Sequence, residues 1–381
     1  MNEKLIHETK GKFKSLHGTE PMMVLSPGRI NLIGEHTDYN DGFVFPAAID
    51  RGIVLAIGKS DGPEVSLHAL NMDETYSFEI KDLSPIPNGN WRNYILGVIS
   101  ELMKKGKNVA PFNAVFAGDI PSGAGMSSSA ALENAFSFGL NELFQLGLTK
   151  AEMILVSQKA EHNFAGVKCG IMDQYASMFG IEDSAIFLDC RNLDSKVYKI
   201  DLNEYQLVLI NSNVTHDLAE SAYNDRRRVC EDVASALNVE ALRDVDMDTL
   251  NSKKQQFEEE DYQKASYVIE ENDRVEAFAK AIDTADIQKM GQLLFESHKG
   301  LSEKFKVSCE ELDFLVSQAK QHASVVGSRM MGGGFGGCTI SIVHHSGLKD
   351  FINTTTARFK EQFGKEASVY QVQLSDGTRL I

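Results

Sequence analysis

Positive charge is scarce in this sequence. Lys and Arg total 38 against 54 Asp and Glu, a formal net charge of −16. Such a surface repels nucleic acid and anionic membranes, which excludes both as bulk partners. A phosphate-bearing ligand has to be met by local donors or by a metal ion. Long apolar runs are lacking as well. No stretch approaches the roughly 18 uninterrupted apolar residues of a membrane span, and the first residues carry no apolar leader. Paired cysteines are missing: Cys169, Cys190, Cys230, Cys309 and Cys338 are odd in number and widely spaced. They read as reduced thiols in a cytoplasmic protein, not as a disulfide framework. There is no internal repeat and no low-complexity tract.

What is present is ordinary for a globular chain. Over 381 residues, 43% are hydrophobic and 24% charged, enough for two or three domains and a substantial core. Residues 24–25, 43–49, 53–57 and 113–116 read as strands. Residues 127–146 read as a helix whose Leu132, Phe136, Leu140 and Leu143 share one face. Residues 149–164 read as a second helix, with Thr149 as N-cap and Glu152 three residues on. The segments 197–202 and 207–210 are β-rich, and the change of domain is placed here, dividing 1–190 from 191–381. Residues 223–322 are mostly helical, with the acidic run 258–261 as a solvated face or a loop. A strand (338–344), a helix (349–363) and a closing strand (368–374) complete the chain; that last strand is also free to return to the first lobe. The pattern predicts two α+β lobes with a ligand cleft between them.

Three segments are hard to explain as scaffold. Residues 27–42 gather Arg29, Glu35, His36 and Asp38 between apolar strands. Composition leaves a solvated hairpin as open as a polar pocket. In the second case carboxylates accept from, and His and Arg donate to, the hydroxyls of a sugar-like ligand. Residues 121–131, Pro-Ser-Gly-Ala-Gly-Met-Ser-Ser-Ser-Ala-Ala, stand immediately before a helix. Free N–H groups at a helix start, glycines that permit close approach and serine hydroxyls make a phosphate cradle. The Gly-Lys-Ser/Thr ending of a Walker A loop is absent, and a serine N-cap after a glycine turn is the plain alternative. Residues 331–337, Met-Gly-Gly-Gly-Phe-Gly-Gly, carry five glycines. Relative to alanine these cost roughly 2.5–5 kcal/mol in all, so the loop is expected to press against a ligand or against the phosphate cradle. Asp173, among Ile171, Met172 and Tyr175, reads as partly buried, and as a helix cap or paired acid unless it has a chemical role. Glu161 is either a metal ligand or exposed.

Together these segments resemble the GHMP kinases, the superfamily of galacto-, homoserine, mevalonate and phosphomevalonate kinases, and within it the galactokinase family. Residues 28–40, Gly-Arg-Ile-Asn-Leu-Ile-Gly-Glu-His-Thr-Asp-Tyr-Asn, match that family's signature, and 121–131 and 331–337 match the superfamily's glycine motifs. Further similar stretches are 91–94, 169–174, 211–216, 221–227 and 308–313, so the likeness runs the whole chain in order. The resemblance implies a two-lobed fold, the first lobe like ribosomal protein S5 and the second ferredoxin-like. It implies transfer of the γ-phosphoryl of MgATP to the anomeric hydroxyl of galactose. By position it gives Asp173 and Arg29 as catalytic, and Glu35, His36, Asp38, Gly170 and Tyr223 as the sugar pocket. Gly123, Ala124, Gly125, Met126, Ser127, Ser128 and Ser129 would hold the nucleotide phosphates, with Trp91 and Tyr94 near the adenine. Ser129 and Glu161 would position Mg²⁺. A monomer is expected. A kinase for N-acetylgalactosamine or arabinose, or a non-catalytic binder of galactose and ATP, would share most of these features. The Ser129-Ala130 pair, which some galactokinase-like sugar sensors lack, is intact. One departure is Asp41, where the family usually has Gly; it is expected to add negative charge near the pocket.

Overall fold

The computed structural model describes residues 2–121, 123–215 and 219–381. Its first lobe is built on a six-stranded sheet. The spatial order is Arg379–Leu380, Met22–Asn31, Pro46–Lys59, Phe112–Gly118, Glu64–Ala69, Glu74–Glu79. Phe112–Gly118 and Glu64–Ala69 run parallel, while the other neighbours are antiparallel. Because successive strand residues point to opposite faces, the apolar runs serve two cores. Val24, Leu55, Ala114 and Phe116 meet Ile95, Phe136, Ile154 and Met178. These come from the helices Trp91–Lys104, Ser128–Phe144, Lys150–Ala160 and Met172–Phe179. Met23, Leu25, Val54, Ala56, Val115 and Ala117 face the other way, covered by Leu5 and Phe13 of the helix Glu3–His17.

The second lobe holds an antiparallel sheet in the order Val325–Met330, Gly336–His344, Tyr205–Thr215, Ser368–Val372. In chain order these are the second, third, first and fourth strands, with helices after the first and third, which is the ferredoxin-like arrangement. One face (Val208, Ile210, Val343) packs with Leu315, Phe351 and Phe359 of the helices Glu310–Gln321 and Leu348–Phe363. The other face (Leu207, Leu209, Cys338, Ile340) enters a core that includes Ile30, Phe45, Ala124 and Met126. The segments carrying the proposed pocket and phosphate loop are thus packed onto the back of the second sheet.

Several elements differ from the sequence reading for identifiable reasons. The strand expected at 24–25 runs from Met22 to Asn31, through Ser26-Pro27-Gly28, because a register shift between Pro27 and Arg29 absorbs the proline. The runs 43–49 and 53–57 divide instead as Phe43–Val44 and Pro46–Lys59. The longer strand continues through the polar Asp50-Arg51-Gly52, where Gly52 N donates to Asp119 Oδ1 at 2.8 Å and Asp50 N to the Gln373 carbonyl. The second expected helix does carry a Thr149/Glu152 capping box, but it ends at Ala160 and widens into a π-turn over Glu161–Ala165. The run 258–261 opens the helix Glu259–Asp283 with acids in its first turn, where they complement the helix dipole. The chain end does return: after Ser368–Val372, Leu374 bridges to Ile49, and Arg379–Leu380 joins the first sheet. A division at residue 190 cuts a small third sheet of Phe43–Val44, Ser184–Asp189 and Ser195–Lys199.

Candidate active site

Strand Met22–Asn31 carries Arg29 into the interior, where the guanidinium is buried. Its Nε and Nη2 both lie 2.7 Å from Asp173 Oδ1, and its Nη1 donates to the Gly125 carbonyl. The second oxygen of Asp173, Oδ2, accepts from Ser127 Oγ at 2.5 Å. Asp173 sits in the first turn of Met172–Phe179. One acid thus ties together the first strand, the glycine-serine loop and a third element. Both its oxygens are engaged by donors.

After that strand the chain turns through 34–42, a polar loop that is nonetheless buried. Glu35 Oε1 accepts from Arg329 Nη2 at 3.0 Å and from Gly332 N at 2.8 Å. Arg329 is fully buried and donates also to the carbonyls of Leu32, Met330 and Asn31. His36 lies between Tyr39 Oη, 2.7 Å from Nδ1, and the Gly333 carbonyl, 3.2 Å from Nε2. A carbonyl only accepts, so Nε2 carries the hydrogen and Nδ1 accepts from the tyrosine. Burial pushes this imidazole down to about 3, which keeps it neutral. Asp38 is pushed up to about 7, first by burial and then by the charge of Asp173. Gly170 is close against Asp38: a Cβ there would overlap the carboxylate. The ring of Tyr223 lies 5.3 Å from those of His36 and Tyr39. These groups enclose a cavity of about 130 Å³ lined by Arg29, Glu35, His36, Asp38, Glu161 and Asp173, with Tyr223, Cys169 and Gly332–Gly333 among the rest of its wall.

The loop 121–131 adjoins it. The helix Ser128–Phe144 starts after Ser127, which has φ +56° and makes no side-chain cap, since its hydroxyl is committed to Asp173. The plain N-cap alternative is therefore not what this serine does, and among the described residues no side chain caps the N–H groups of the first turn. Gly123 and Gly125 have φ near +70°. The third glycine motif is pressed onto this loop: a Cβ on Gly125 would lie 3.1 Å from the Met331 carbonyl, and one on Gly337 3.2 Å from the Gly123 carbonyl. Ser212 Oγ, from the stretch 211–216, donates to the Gly337 carbonyl. Ser122 and His216 lie outside the described residues.

Ser129 Oγ donates to Glu161 Oε1 at 3.1 Å. Glu161 is buried at the π-turn, which removes the exposed alternative, and burial and Asp173 push it up to about 7. Trp91 and Tyr94 do not line the cavity. Trp91 is buried in the first-lobe core, edge-on to Phe116, and donates from Nε1 to Glu74 at 3.0 Å. The residues that sequence reasoning missed are the supports: Arg329 behind Glu35, Tyr39 behind His36, and Gln174 and Glu133 behind Glu161. Gln174 stood in a recognised motif without a role, and Arg329 stands just ahead of the glycine loop. Asp41, expected to add negative charge near the pocket, has its carboxylate 3.2 Å from Arg191 and does not line the cavity.

A ferredoxin-like lobe packed against a glycine-serine loop at a helix start, beside a buried polar pocket, defines a small-molecule kinase of the GHMP class. The GHMP kinase N-terminal domain matches residues 93–181 and the GHMP kinase C-terminal domain matches 278–359. Within that class the chain belongs to the galactokinase family. The galactokinase galactose-binding signature matches residues 11–59. The chain is 39% identical to the galactokinase of Thermotoga petrophila over 361 residues, covering 94% of this chain and all of the relative. It is 38% identical to that of Roseiflexus sp., with 97% and 96% covered. The structure of Lactococcus lactis galactokinase complexed with galactose superposes with a TM-score of 0.94 at 33% identity over 98% of each chain. A mevalonate kinase, at 16% identity, 93% and 99% coverage and TM-score 0.66, shares the fold. Membership makes the chain a sugar kinase that uses ATP. Among the described residues no helix is long and apolar enough to cross a membrane.

Proposed function

We propose that this chain transfers the γ-phosphoryl group of MgATP to the anomeric hydroxyl of galactose, giving galactose 1-phosphate and ADP. The observation that carries this is Asp173, held by Arg29 and Ser127 at the junction of the polar pocket and the phosphate loop. Placed there, the one lone pair of Oδ2 that Ser127 leaves free is available to an incoming hydroxyl, and Arg29 offsets charge on the phosphoryl group as it moves. Glu35 and Asp38 accept from sugar hydroxyls, His36 stays neutral, and Tyr223 closes the wall. Their rear contacts fix each group before substrate arrives, which favours positioning over proton transfer as the main source of rate.

Ser129 and Glu161 fit a magnesium ion. They are adjacent hard oxygen donors, and the buried Glu133 Oε1 behind them has no hydrogen-bond partner among the described residues. Mg²⁺ usually takes one or two protein oxygens and completes its shell with phosphates and water. Among the described residues no three His, Cys, Asp or Glu side chains form a metal site. When bound, the ion would neutralise charge on the nucleotide phosphates. One chain supplies every group named, which suits a monomer, and five free thiols suit the cytoplasm.

The test is a coupled assay for ADP release with MgATP and galactose, N-acetylgalactosamine, arabinose, mevalonate or homoserine. Turnover with galactose above all others is expected. Preference for another sugar would replace the substrate and keep the chemistry. Tight galactose binding without turnover would make the chain a binder.

A further inference from the structure

Gln174 follows Asp173 on the helix Met172–Phe179, and it is fully buried between two carboxylates. Its Nε2 donates to Glu161 Oε2 at 2.8 Å and to Glu133 Oε2 at 3.2 Å. Glu133 is fully buried on Ser128–Phe144, about one turn past Ser129. The other oxygen of Glu161, Oε1, is the one that accepts from Ser129. The Gln174 carbonyl is gripped separately by Asn134 Nδ2 at 2.9 Å, which fixes the backbone from which the amide extends.

A buried glutamine that served the core alone would pair both ends of its amide. Here, among the described residues, Gln174 Oε1 has no hydrogen-bond partner, and neither has Glu133 Oε1. With the nitrogen between the acids both amide hydrogens find acceptors, whereas the opposite orientation would leave them with none. The amide hydrogens are directed at the acids, with Cys169 Sγ as a weaker neighbour, 3.8 Å from Nε2 and donating to Glu161 Oε2 at 3.5 Å. Glu161, held at Oε2 by the amide and at Oε1 by Ser129, has little freedom to rotate, so the direction of Oε1 is set.

We propose that Gln174 is a positioning residue for phosphoryl transfer. It ties Glu161 Oε2 back toward Glu133, so that Oε1 is presented beside Ser129 to a hard divalent cation on the nucleotide. This rests on the kinase reading of the same site. Outer partners of metal-binding carboxylates typically contribute about 10–100-fold to metal affinity or activity.

Gln174→Met keeps the length of the side chain and removes both donors. Mn²⁺ is titrated by electron paramagnetic resonance into the whole protein with the β,γ-imido analogue of ATP, and galactose binding is followed by calorimetry. Mn²⁺ affinity is expected to fall by about 10–100-fold, with galactose affinity unchanged. In turnover, kcat falls and the KM for galactose does not. In a Glu161→Gln background the further change should add little, because Gln174 acts through Glu161. Unchanged Mn²⁺ affinity in folded Gln174→Met overturns the proposal. So does a parallel loss of galactose affinity, or an equal added loss in the Glu161→Gln background. If Gln174→Met does not fold, Gln174→Asn, whose amide is one carbon too short to span both acids, is expected to give the same loss. Unaltered Mn²⁺ affinity there also overturns it. The metal titration needs no sugar turnover, so its failure and the failure of galactose phosphorylation are separate results.

Discussion

On the proposed sugar side of the cleft the wall is made of side chains, each held from behind: Glu35 by Arg329 and Gly332, His36 by Tyr39, Asp173 by Arg29 and Ser127. On the proposed phosphate side the wall is backbone. Two glycine loops lie against each other, and the first turn of a helix keeps its N–H groups uncapped. The difference follows from the ligands. Sugars are told apart by where their hydroxyls point, which demands donors and acceptors at particular places. A phosphate chain is the same whichever sugar receives it, and backbone N–H groups suit it without discrimination. The sugar side should therefore be sensitive to changes of chemistry, and the phosphate side to the addition of a single carbon.

Asp173→Asn is the sharpest break on the sugar side. It keeps the shape and removes the charge that faces Arg29. Turnover is expected to fall by about 10²–10⁴-fold, the usual range for a positioned acid or base. Galactose binding, measured by calorimetry, should survive. Normal turnover would remove Asp173 from the chemistry altogether.

Gly170→Ala comes next. The added Cβ would overlap the Asp38 carboxylate, so either the acid swings away or the backbone shifts. Overpacking of this kind typically costs about 1–3 kcal/mol. The KM for galactose should rise by roughly 10–100-fold on the scale of 1.4 kcal/mol per tenfold, with the KM for ATP little changed. The matching test on the other side is Gly337→Ala. Gly337 has φ +80°, and its Cβ would crowd the Gly123 carbonyl. A left-handed conformation costs a non-glycine residue about 1–2 kcal/mol. Here the KM for ATP should rise by about tenfold while galactose affinity holds. If either substitution moved both constants together, the two sides would not be separable.

A smaller effect appears in stability. Asp38 is pushed up to about 7 by burial and by Asp173, above an unfolded value of about 3.9. Between those values the folded state binds the proton more tightly than the unfolded chain. The contribution of Asp38 to stability therefore falls as pH rises from about 4 to 7. Buried neutral His36, pushed down to about 3, works the other way as pH falls below about 6.5. Relative to Asp38→Asn, the wild type should lose melting temperature between pH 5 and pH 8 in the absence of ligand. A constant difference would mean that Asp38 ionises as readily folded as unfolded.

Much of this was legible in the sequence, and the part that was not has a common cause. The helix 149–164 was marked by its capping box, and the pressed glycine loop by the cost of five glycines. Arg29, Glu35, His36, Asp38 and Asp173 were marked by their crowding and by a resemblance. The supports were hidden because each acts across the fold. Arg329 reaches Glu35 from 294 residues away along the chain, and Gln174 reaches Glu133 from 41. A lone buried arginine or glutamine carries no local pattern that says what it holds. The strand Pro46–Lys59 was split in reading for a related reason. Asp50-Arg51-Gly52 looks like a turn until Asp119 and Gln373 satisfy its backbone.

Asp41 should show the smallest effect, and it bears on where the sugar side ends. It has φ +56° and ψ +20°, a conformation that favours glycine and that aspartate tolerates. Its backbone carbonyl accepts from Arg243 Nη1 at 2.9 Å, a bond any residue would keep. Its carboxylate reaches Arg191, a half-exposed pair of the kind worth about 0–1 kcal/mol. Asp41→Gly relieves the backbone and removes the pair, two changes of similar size and opposite sign. Stability should move by no more than about 1 kcal/mol in either direction, and the KM for galactose by no more than about twofold, since the charge is paired with Arg191 and does not line the cavity. Melting temperature and sugar kinetics measured together would settle it. A large fall in galactose affinity at unchanged stability would put Asp41 inside the pocket and extend the side-chain half of the site by one residue.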